Sequence, residues 1–492
     1  MKYLIYISFI FYLTPFIGAS QISFEISYST GRNDQARAIV QTNDIGYAVV
    51  GSTVNYDGNT DLYLMKVDSV GAFLWAKRYG GYGMERGEDI IETHDGGLAF
   101  VGYGQPHGDY DMYLLRTDNM GDTIFTKYIG DENWNFGHSI IQTSDKGFVI
   151  AGETYINGSP SGYLVKIDSM GTVVWEKTFG GTQPDKFYEL VQSSNGDFIM
   201  AGESESFGNG RQAYVVRTDS LGVLIWENNY GNPGINFAKS LVELASGEIV
   251  LSGGSNTPPE FDIDNWGAKI DSAGLFFHEH IVTDYTSSLP FVQNDDWNEK
   301  VFNYKDSLVF AGFRTFDLAE PGNINFYRYT QDIAFGDRGG FQKFISSNKE
   351  IAYDGQMTSD NGMILACTGD FMDGSQANIY LIKVDSNLSN PLPFFNSISY
   401  QDDITSINEP LSQMEIEIYP NPTQNEVTIN LSSFKNEKVR IRVFDIYGKL
   451  IQDLQSTNSI EKVDFSSSKS GMYLISIESK DGISQQKVMV TK

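Results

Sequence analysis

One cysteine in 492 residues leaves no disulfide framework and no thiolate metal cluster. That residue, Cys367, lies far from the N-terminus, so no lipid-bearing cysteine follows the leader, and its expected role is that of a small buried hydrophobe. Histidine is nearly as scarce: His94, His107, His138, His278 and His280 are scattered. Only the last two, spaced by two on an expected strand, could share a face as a metal pair. Positive charge is also short, with 35 Lys and Arg against 63 Asp and Glu and a net charge of −28. Such a surface repels a phosphate backbone, which excludes nucleic acid as a partner and fits solubility outside the cell. Long apolar runs are missing except at 3–17, which follows Lys2 and ends at Gly18-Ala19-Ser20. Residues 1–20 therefore read as a secretory signal peptide, since the run is short for a membrane span.

What the chain has in quantity is glycine, 49 residues, and much of it is periodic. A segment Asp-x-Tyr-Leu-x-Lys-x-Asp-Ser-x-Gly-x-x-x-Trp first runs from Asp61 through Gly71 to Trp75. Upstream of each copy an apolar strand closes on a glycine: Gly51, Gly102, Gly152, Gly202, Gly253, Gly312 and Gly369. The intervals of 51, 50, 50, 51, 59 and 57 residues mark seven units of one supersecondary motif. Turn signals such as Asp44-Ile45-Gly46 and Asp95-Gly96-Gly97 precede six of the seven glycine strands. The Asp-Ser-x-Gly turns at 68–71, 118–121, 168–171, 219–222 and 271–274 join third to fourth strands, Asn119 replacing Ser in the second copy.

Four short strands per unit, in the first copy 36–42, 47–53, 61–68 and 72–79, without helical periodicity predict the blades of a seven-bladed β-propeller. Trp75, Phe125, Trp175 and Trp226, with His278 in the fifth unit, fall at one position of the fourth strand and are expected to fill the wedge between blades. The seventh unit has no fourth strand of its own. Residues 22–28 near the N-terminus resemble one, so the ends of the propeller are expected to close on each other and remove its exposed edges. The longer connections, after strands two and four, then share one face, which is the usual geometry of a binding site.

The propeller reading covers 21–390 and a Pro-, Ser- and Asn-rich linker covers 391–413. Residues 414–492 carry a different pattern, alternating short strands that predict a small immunoglobulin-like β-sandwich. From 412 to 492 there are ten acidic and ten basic residues, so the acidic excess belongs to the propeller. Four motifs recur here in order: Tyr419-Pro420-Asn421-Pro422, a Val-Phe-Asp-Ile-Tyr-Gly-Lys segment holding Asp445, Tyr447 and Gly448, Ser-Gly-Met-Tyr with Gly471 and Tyr473, and a terminal strand with Lys487. Over 416–492 the chain resembles the type A C-terminal sorting domain of type IX secretion cargo in Bacteroidetes. The resemblance implies export by the Sec route, passage through the type IX machinery, and release or attachment at the outer-membrane surface.

Candidate site residues are fewer. Tyr56, Tyr82, Tyr110, Trp134, Phe136, Tyr155, Phe207 and Trp266 lie on or beside the variable loops, where aromatic faces suit sugar stacking or protein contact. Asp109/Asp111 and Asp262/Asp264, with Asn59/Asp61 as the first-unit equivalent, offer paired oxygen ligands that could hold calcium, but with no following Asp-Gly and no distal Glu the favoured reading is a loop-to-strand cap by Asp or Asn. No other cofactor is expected. Glu85, Glu88, Asp131, Glu132, Asp295 and Asp296 could supply the two carboxylates of a glycosidase. No nucleophile motif, phosphate loop or dinucleotide fingerprint is present. The Asp-x-x-Gly-x-x-x-Trp turn is similar to turns of sialidase and quinoprotein propellers, where it is structural. The expected function is a non-catalytic extracellular interaction module, monomeric, for a glycan or protein ligand. The alternatives are a polysaccharide hydrolase and a purely structural or adhesive surface protein.

Overall fold

The computed structural model describes residues 22–492 apart from 55–57, 81–82, 107, 131–132, 209, 257–262, 283–295, 306, 315–322, 331–340, 345–348, 371–376, 387–395, 400–402, 407–417, 433–437, 446–448 and 480–481. The expected signal peptide lies outside these residues. The described residues form strands and turns, and no helix among them is long and apolar enough to cross a membrane.

Seven antiparallel sheets of four strands follow one another along the chain. Their first strands are Asp34–Gln41, Glu85–Glu92, Asn135–Gln142, Asp185–Gln192, Gly234–Glu243, Asp296–Tyr304 and Lys349–Met357. Each of these touches the next, and the seventh touches the first, so the seven inner strands surround a common axis. This is the seven-bladed propeller predicted from the glycine period.

Closure follows the expected route. Phe24–Ser29 pairs antiparallel with Asn378–Val384 and supplies the fourth strand of the seventh blade. Tyr28 there donates from Oη to the Gly71 carbonyl at 2.5 Å, the bond that Tyr79 makes to Gly121 (2.5 Å) and Tyr230 to Gly274 (2.7 Å) elsewhere. The N-terminal strand thus joins blade seven to blade one with the same side-chain bond that joins blades one and two.

The repeat's signature residues each have a local cause. Gly71 adopts φ 81°, and the Asp68 carboxylate accepts from the Val70 and Ala72 amides at 3.0 and 2.8 Å, closing the turn. A Cβ at Gly121 would lie 2.8 Å from Trp75, and one at Gly222 2.8 Å from Trp175. The fourth-strand aromatics therefore seat on the glycine of the next blade's turn, as the wedge reading required. The motif lysine is buried and anchors the other turn. Lys66 reaches Asp44 at 2.8 Å, Lys166 reaches Asp145 at 2.8 Å, and Arg217 and Lys383 pair with Asp197 and Asp360 at 2.9 and 3.0 Å.

One expectation changes. The period-setting glycines do not end their strands: Tyr47–Val54 continues past Gly51, and Phe148–Ile156 past Gly152. Gly51 faces Ala36 immediately before a register shift between Ala36 and Ala38. A Cβ there would lie 1.9 Å from the Gln35 carbonyl oxygen, and at Gly102 1.8 Å from that of Arg86. The glycine is required because a β-bulge in the inner strand pushes a carbonyl against it. In blade seven the matching position, opposite Ala352, holds Cys367, which is buried as expected.

The stretch 391–413, read as linker, contributes two further strands. Asn396–Ser399 pairs parallel with the N-terminal strand on the outer edge of blade seven, and Asp403–Ser406 pairs parallel with Phe73–Gly80 on that of blade one. Beyond it lies the sandwich. One sheet contains Ile418–Tyr419, Glu426–Asn430 and Ile460–Asp464; the other contains Val439–Asp445, Leu450–Ser456, Gly471–Ser479 and Gly482–Val490. Val427, Ile441, Val463, Ile475 and Val488 form its core.

Candidate functional site: the channel mouth

Each inner strand carries its bulge near its middle. The extra residues are Arg37, Glu88, His138, Tyr188, Lys239, Glu299 and Tyr353, one per blade. A bulge breaks the alternation of a strand and re-aims one side chain. Here it turns seven side chains of varied chemistry toward the axis, where they line a cavity of about 290 Å³.

The next residue of each inner strand forms the floor. Asp89 Oδ2 accepts from the Ile140 amide of the neighbouring blade at 2.8 Å, and Asp354 Oδ2 from the Ile39 amide across the closure at 2.9 Å. Ser139 Oγ accepts likewise from Leu190 N at 3.3 Å. Lys300 crosses between them: its Nζ donates to Glu189 Oε2 at 2.6 Å and lies 3.1 Å from Asp354 Oδ1. The Lys300, Glu189 and Asp354 side chains keep 22, 15 and 9% of their surface exposed. Burial, together with Asp354 and Glu189, pushes Asp89 up to about 7 against the opposing pull of Lys300 and the Ile140 amide. Burial also raises Glu189. Lys300 is held protonated, because the three carboxylates outweigh its own burial. The floor of the cavity is an ion cluster.

At the rim, aromatic residues of blades two and three converge. Tyr110 packs against Trp134 (centroids 5.5 Å apart) and Phe136 (5.3 Å), and Trp134 against Tyr155 (5.4 Å). Tyr103 joins them at 4.9 Å from Phe136. Edge-to-face packing holds the rings in fixed orientations, and Trp134 keeps 46% of its surface exposed.

Four of the eight aromatics named from sequence thus meet: Tyr110, Trp134, Phe136 and Tyr155. Phe207 is exposed but packs on Tyr214, in the fourth blade. Trp266 corrects the expectation. It is fully buried between blades and donates from Nε1 to Glu279 at 2.9 Å, because it lies in a third strand rather than a loop. Tyr56 and Tyr82 lie outside the described residues, as do Asp131, Glu132, Asp262, Asp295 and His107. Of the remaining carboxylates proposed for hydrolysis, Glu88 reaches the channel ring, whereas Glu85 is buried at the start of its strand.

Asp111 sits against Gly130 as Asp61 sits against Gly80, the position of a cap on the following loop. Asp264 is buried at the start of its strand and Asp109 lies in the preceding loop. No group of three or more His, Cys, Asp or Glu suited to a metal occurs among the described residues. His278 stands opposite Lys269 on an outer strand and His280 opposite Gly267, while His138 belongs to the channel ring.

The channel ring itself was not read from sequence. Its signal was present: Arg37, Glu88, His138, Tyr188 and Lys239 each stand fourteen residues before a period-setting glycine. In the sandwich, Asn421 Nδ2 donates to the Lys487 carbonyl at 2.8 Å and its Oδ1 accepts from Met489 N at 2.9 Å. Pro420 and Pro422 both follow cis peptide bonds. The Asp445 carboxylate accepts from the Lys449 amide at 3.0 Å, and Tyr473 is buried with its hydroxyl on the Lys469 carbonyl at 3.0 Å. Gly471 opens that strand, while Tyr447 and Gly448 lie outside the described residues.

Residues 417–491 match the secretion system C-terminal sorting domain. The type IX route read from the motifs therefore stands, with a destination outside the cell or on the outer-membrane surface. No curated protein matches the chain. Among solved structures it is similar to the WD40 domain of Neurospora crassa Pan2, at 12% identity, 74% of this chain, 91% of that one and a TM-score of 0.43. It is similar to the β-propeller domain of the Pyrococcus furiosus Trilobed protease, at 10%, 74%, 96% and 0.43. A polysaccharide lyase, an ulvan lyase, gives 10%, 73%, 95% and 0.47. Likenesses of this degree transfer no activity.

Proposed function

We propose that this chain, exported through its sorting domain, is a non-catalytic glycan-binding propeller whose ligand lies across the channel mouth. One observation carries the reading: Tyr103, Tyr110, Trp134, Phe136 and Tyr155 form a preorganised aromatic platform that adjoins a polar cavity through Tyr103, near Arg37 and Glu88. Sugar rings present apolar faces and a rim of hydroxyls. The platform suits the first and the ring of Arg, Glu, His, Tyr and Lys the second. The test is binding of the full chain to a polysaccharide array with and without Trp134→Ala. The substitution is expected to weaken binding at least tenfold, the loss of about 1.4 kcal/mol or more, with the fold intact by circular dichroism. Undiminished binding would move the site away from the platform.

A second reading has its own support. Glu88 and Glu299 share the ring, and Asp89 lies just below it with a proton affinity suited to acid–base chemistry near neutrality. On this reading the protein cleaves the polysaccharide it binds. Release of new chain ends from a bound polymer, abolished in Glu88→Gln, would favour it; binding without release would leave the non-catalytic reading.

A further inference from the structure

Two cations of the cavity have no hydrogen-bond partner among the described residues, although the charges of Glu88 and Glu299 act on Arg37 from beyond contact distance. The Arg37 guanidinium carbon lies over the Tyr353 ring, 4.3 Å from its centroid. Its Nε is buried without a hydrogen-bond partner. Lys239 Nζ lies 3.7 Å from the Tyr188 centroid. Among the described residues, neither side chain makes a hydrogen bond or a carboxylate contact within salt-bridge distance. The other cations nearby are engaged: Lys300 with Glu189 and Asp354, Lys186 with Glu153, and Arg86 with Tyr103 and Gln35. An arginine fork that rests on a ring, with carboxylates only beyond hydrogen-bond distance, is poised for an acceptor that arrives with a ligand.

The rest of the ring narrows the class. Glu88 and Glu299 line the same cavity. A simple inorganic anion would gain nothing from them, and several anionic groups on one sugar would be repelled by them and by a chain of net charge −28. A ligand with one anionic group and several hydroxyl donors satisfies both sets: the anion meets the cations, and the hydroxyls donate to the carboxylates.

We infer that the cavity receives a single acidic sugar residue, its carboxylate or sulfate ester on Arg37 and Lys239 and its hydroxyls on Glu88 and Glu299. This rests on the glycan-binding reading above and adds the charge of the sugar. Calorimetry with the full chain would compare oligogalacturonate, the same oligomer after carboxyl reduction, and a sulfated galactan oligosaccharide. The two acidic probes separate carboxylate from sulfate recognition. The expected result is binding of at least one acidic probe. Arg37→Gln and Lys239→Gln should each weaken that binding at least tenfold. Against oligogalacturonate, reduction should cost a similar factor, and neither variant should affect binding of the reduced oligomer. Thermal unfolding checks that both variants fold, and Tyr353→Leu, which removes the platform under Arg37 and leaves its charge, should give the same loss. Equal binding of the acidic and reduced oligomers by parent and variants would overturn the acidic-sugar inference while the glycan reading stood. Acidic binding unaffected by either substitution would also overturn it, placing the anion elsewhere. No binding of any of the three probes would overturn the inference and count against the glycan reading itself.

Discussion

At the scale of single residues, the chain uses the same charge chemistry to opposite ends. On the face of the short turns, Asp145 accepts from Lys166, Thr143 and the Gly147 amide. Burial alone would raise its pKa, but these contacts hold it down at about 2. At the channel floor Asp89 is pushed up to about 7. The signs of their contributions to stability differ accordingly. Asp145 stabilises the fold above its unfolded value near ~4 and loses that contribution as pH falls toward 2. Asp89 binds its proton more tightly in the folded state, so its contribution is complete below ~4 and fades as pH rises through 7. Asp89→Asn should therefore flatten the fall in stability between pH 4 and 7, by on the order of 1 kcal/mol for each pH step of one. Denaturant unfolding at a series of pH values measures this; an unchanged slope would show that Asp89 is ionised across that range.

At the scale of elements, the informative unit is the bulged inner strand with its opposing glycine. The glycine permits the bulge, the bulge aims the ring residue, and the seven ring residues make the cavity wall. Gly102→Ala would place a methyl group 1.8 Å from the Arg86 carbonyl. The backbone must move, so the expected cost is about 2–3 kcal/mol, with weakened ligand binding because Glu88 shifts with the bulge. Gly96→Ala is the useful control, since a Cβ there meets nothing and only the positive φ of 82° resists; its cost should stay near ~1 kcal/mol. Equal losses would mean that the carbonyl contact is relieved by adjustment elsewhere. The glycine period was legible in sequence because six of the seven bulges press a carbonyl against a glycine; in the seventh blade the position holds Cys367. The bulge itself was not, because a strand's register against its neighbour leaves no mark on the strand's own composition. Trp266 misled for a related reason: an aromatic after a polar loop reads the same whether the following strand is central or peripheral.

At the scale of the whole molecule, the C-terminal sandwich is fastened to the propeller. Along Gly471–Ser479, Tyr473, Ile475 and Ile477 face the sandwich core, while Met472 and Leu474 face outward. With Phe444 they pack onto Ile124, Phe125 and Met170 of blades two and three. Lys487 Nζ adds a hydrogen bond to Thr172 Oγ1 at 2.6 Å and lies 3.8 Å from Asp168. The outer strand of blade two is consequently buried, whereas Val173 and Val174 of blade three and Leu224 and Ile225 of blade four are exposed on theirs. Phe444→Asp combined with Leu474→Asp should release the sorting domain from this seat without unfolding either part, because both side chains point away from the sandwich core. Small-angle scattering should then report a larger radius of gyration. An unchanged radius would show that the paired tail strands on blades seven and one suffice to hold it.

The sequence by itself determined the repeat, the closing N-terminal strand, the turn chemistry and the sorting domain. Each is written in local signals: glycines and aspartates that turns demand, a period, an ordered set of motifs. Only the tertiary structure decided which side chains meet at the axis. The seven ring residues are of five types, since position alone places them there, and the cavity forms only when seven strands, as far apart as Arg37 and Tyr353, are brought around one centre. The same holds for the aromatic platform and for the seat of the sorting domain. Their physical basis is contact between residues distant in the chain, and such contact is fixed by closure of the ring rather than by local preference.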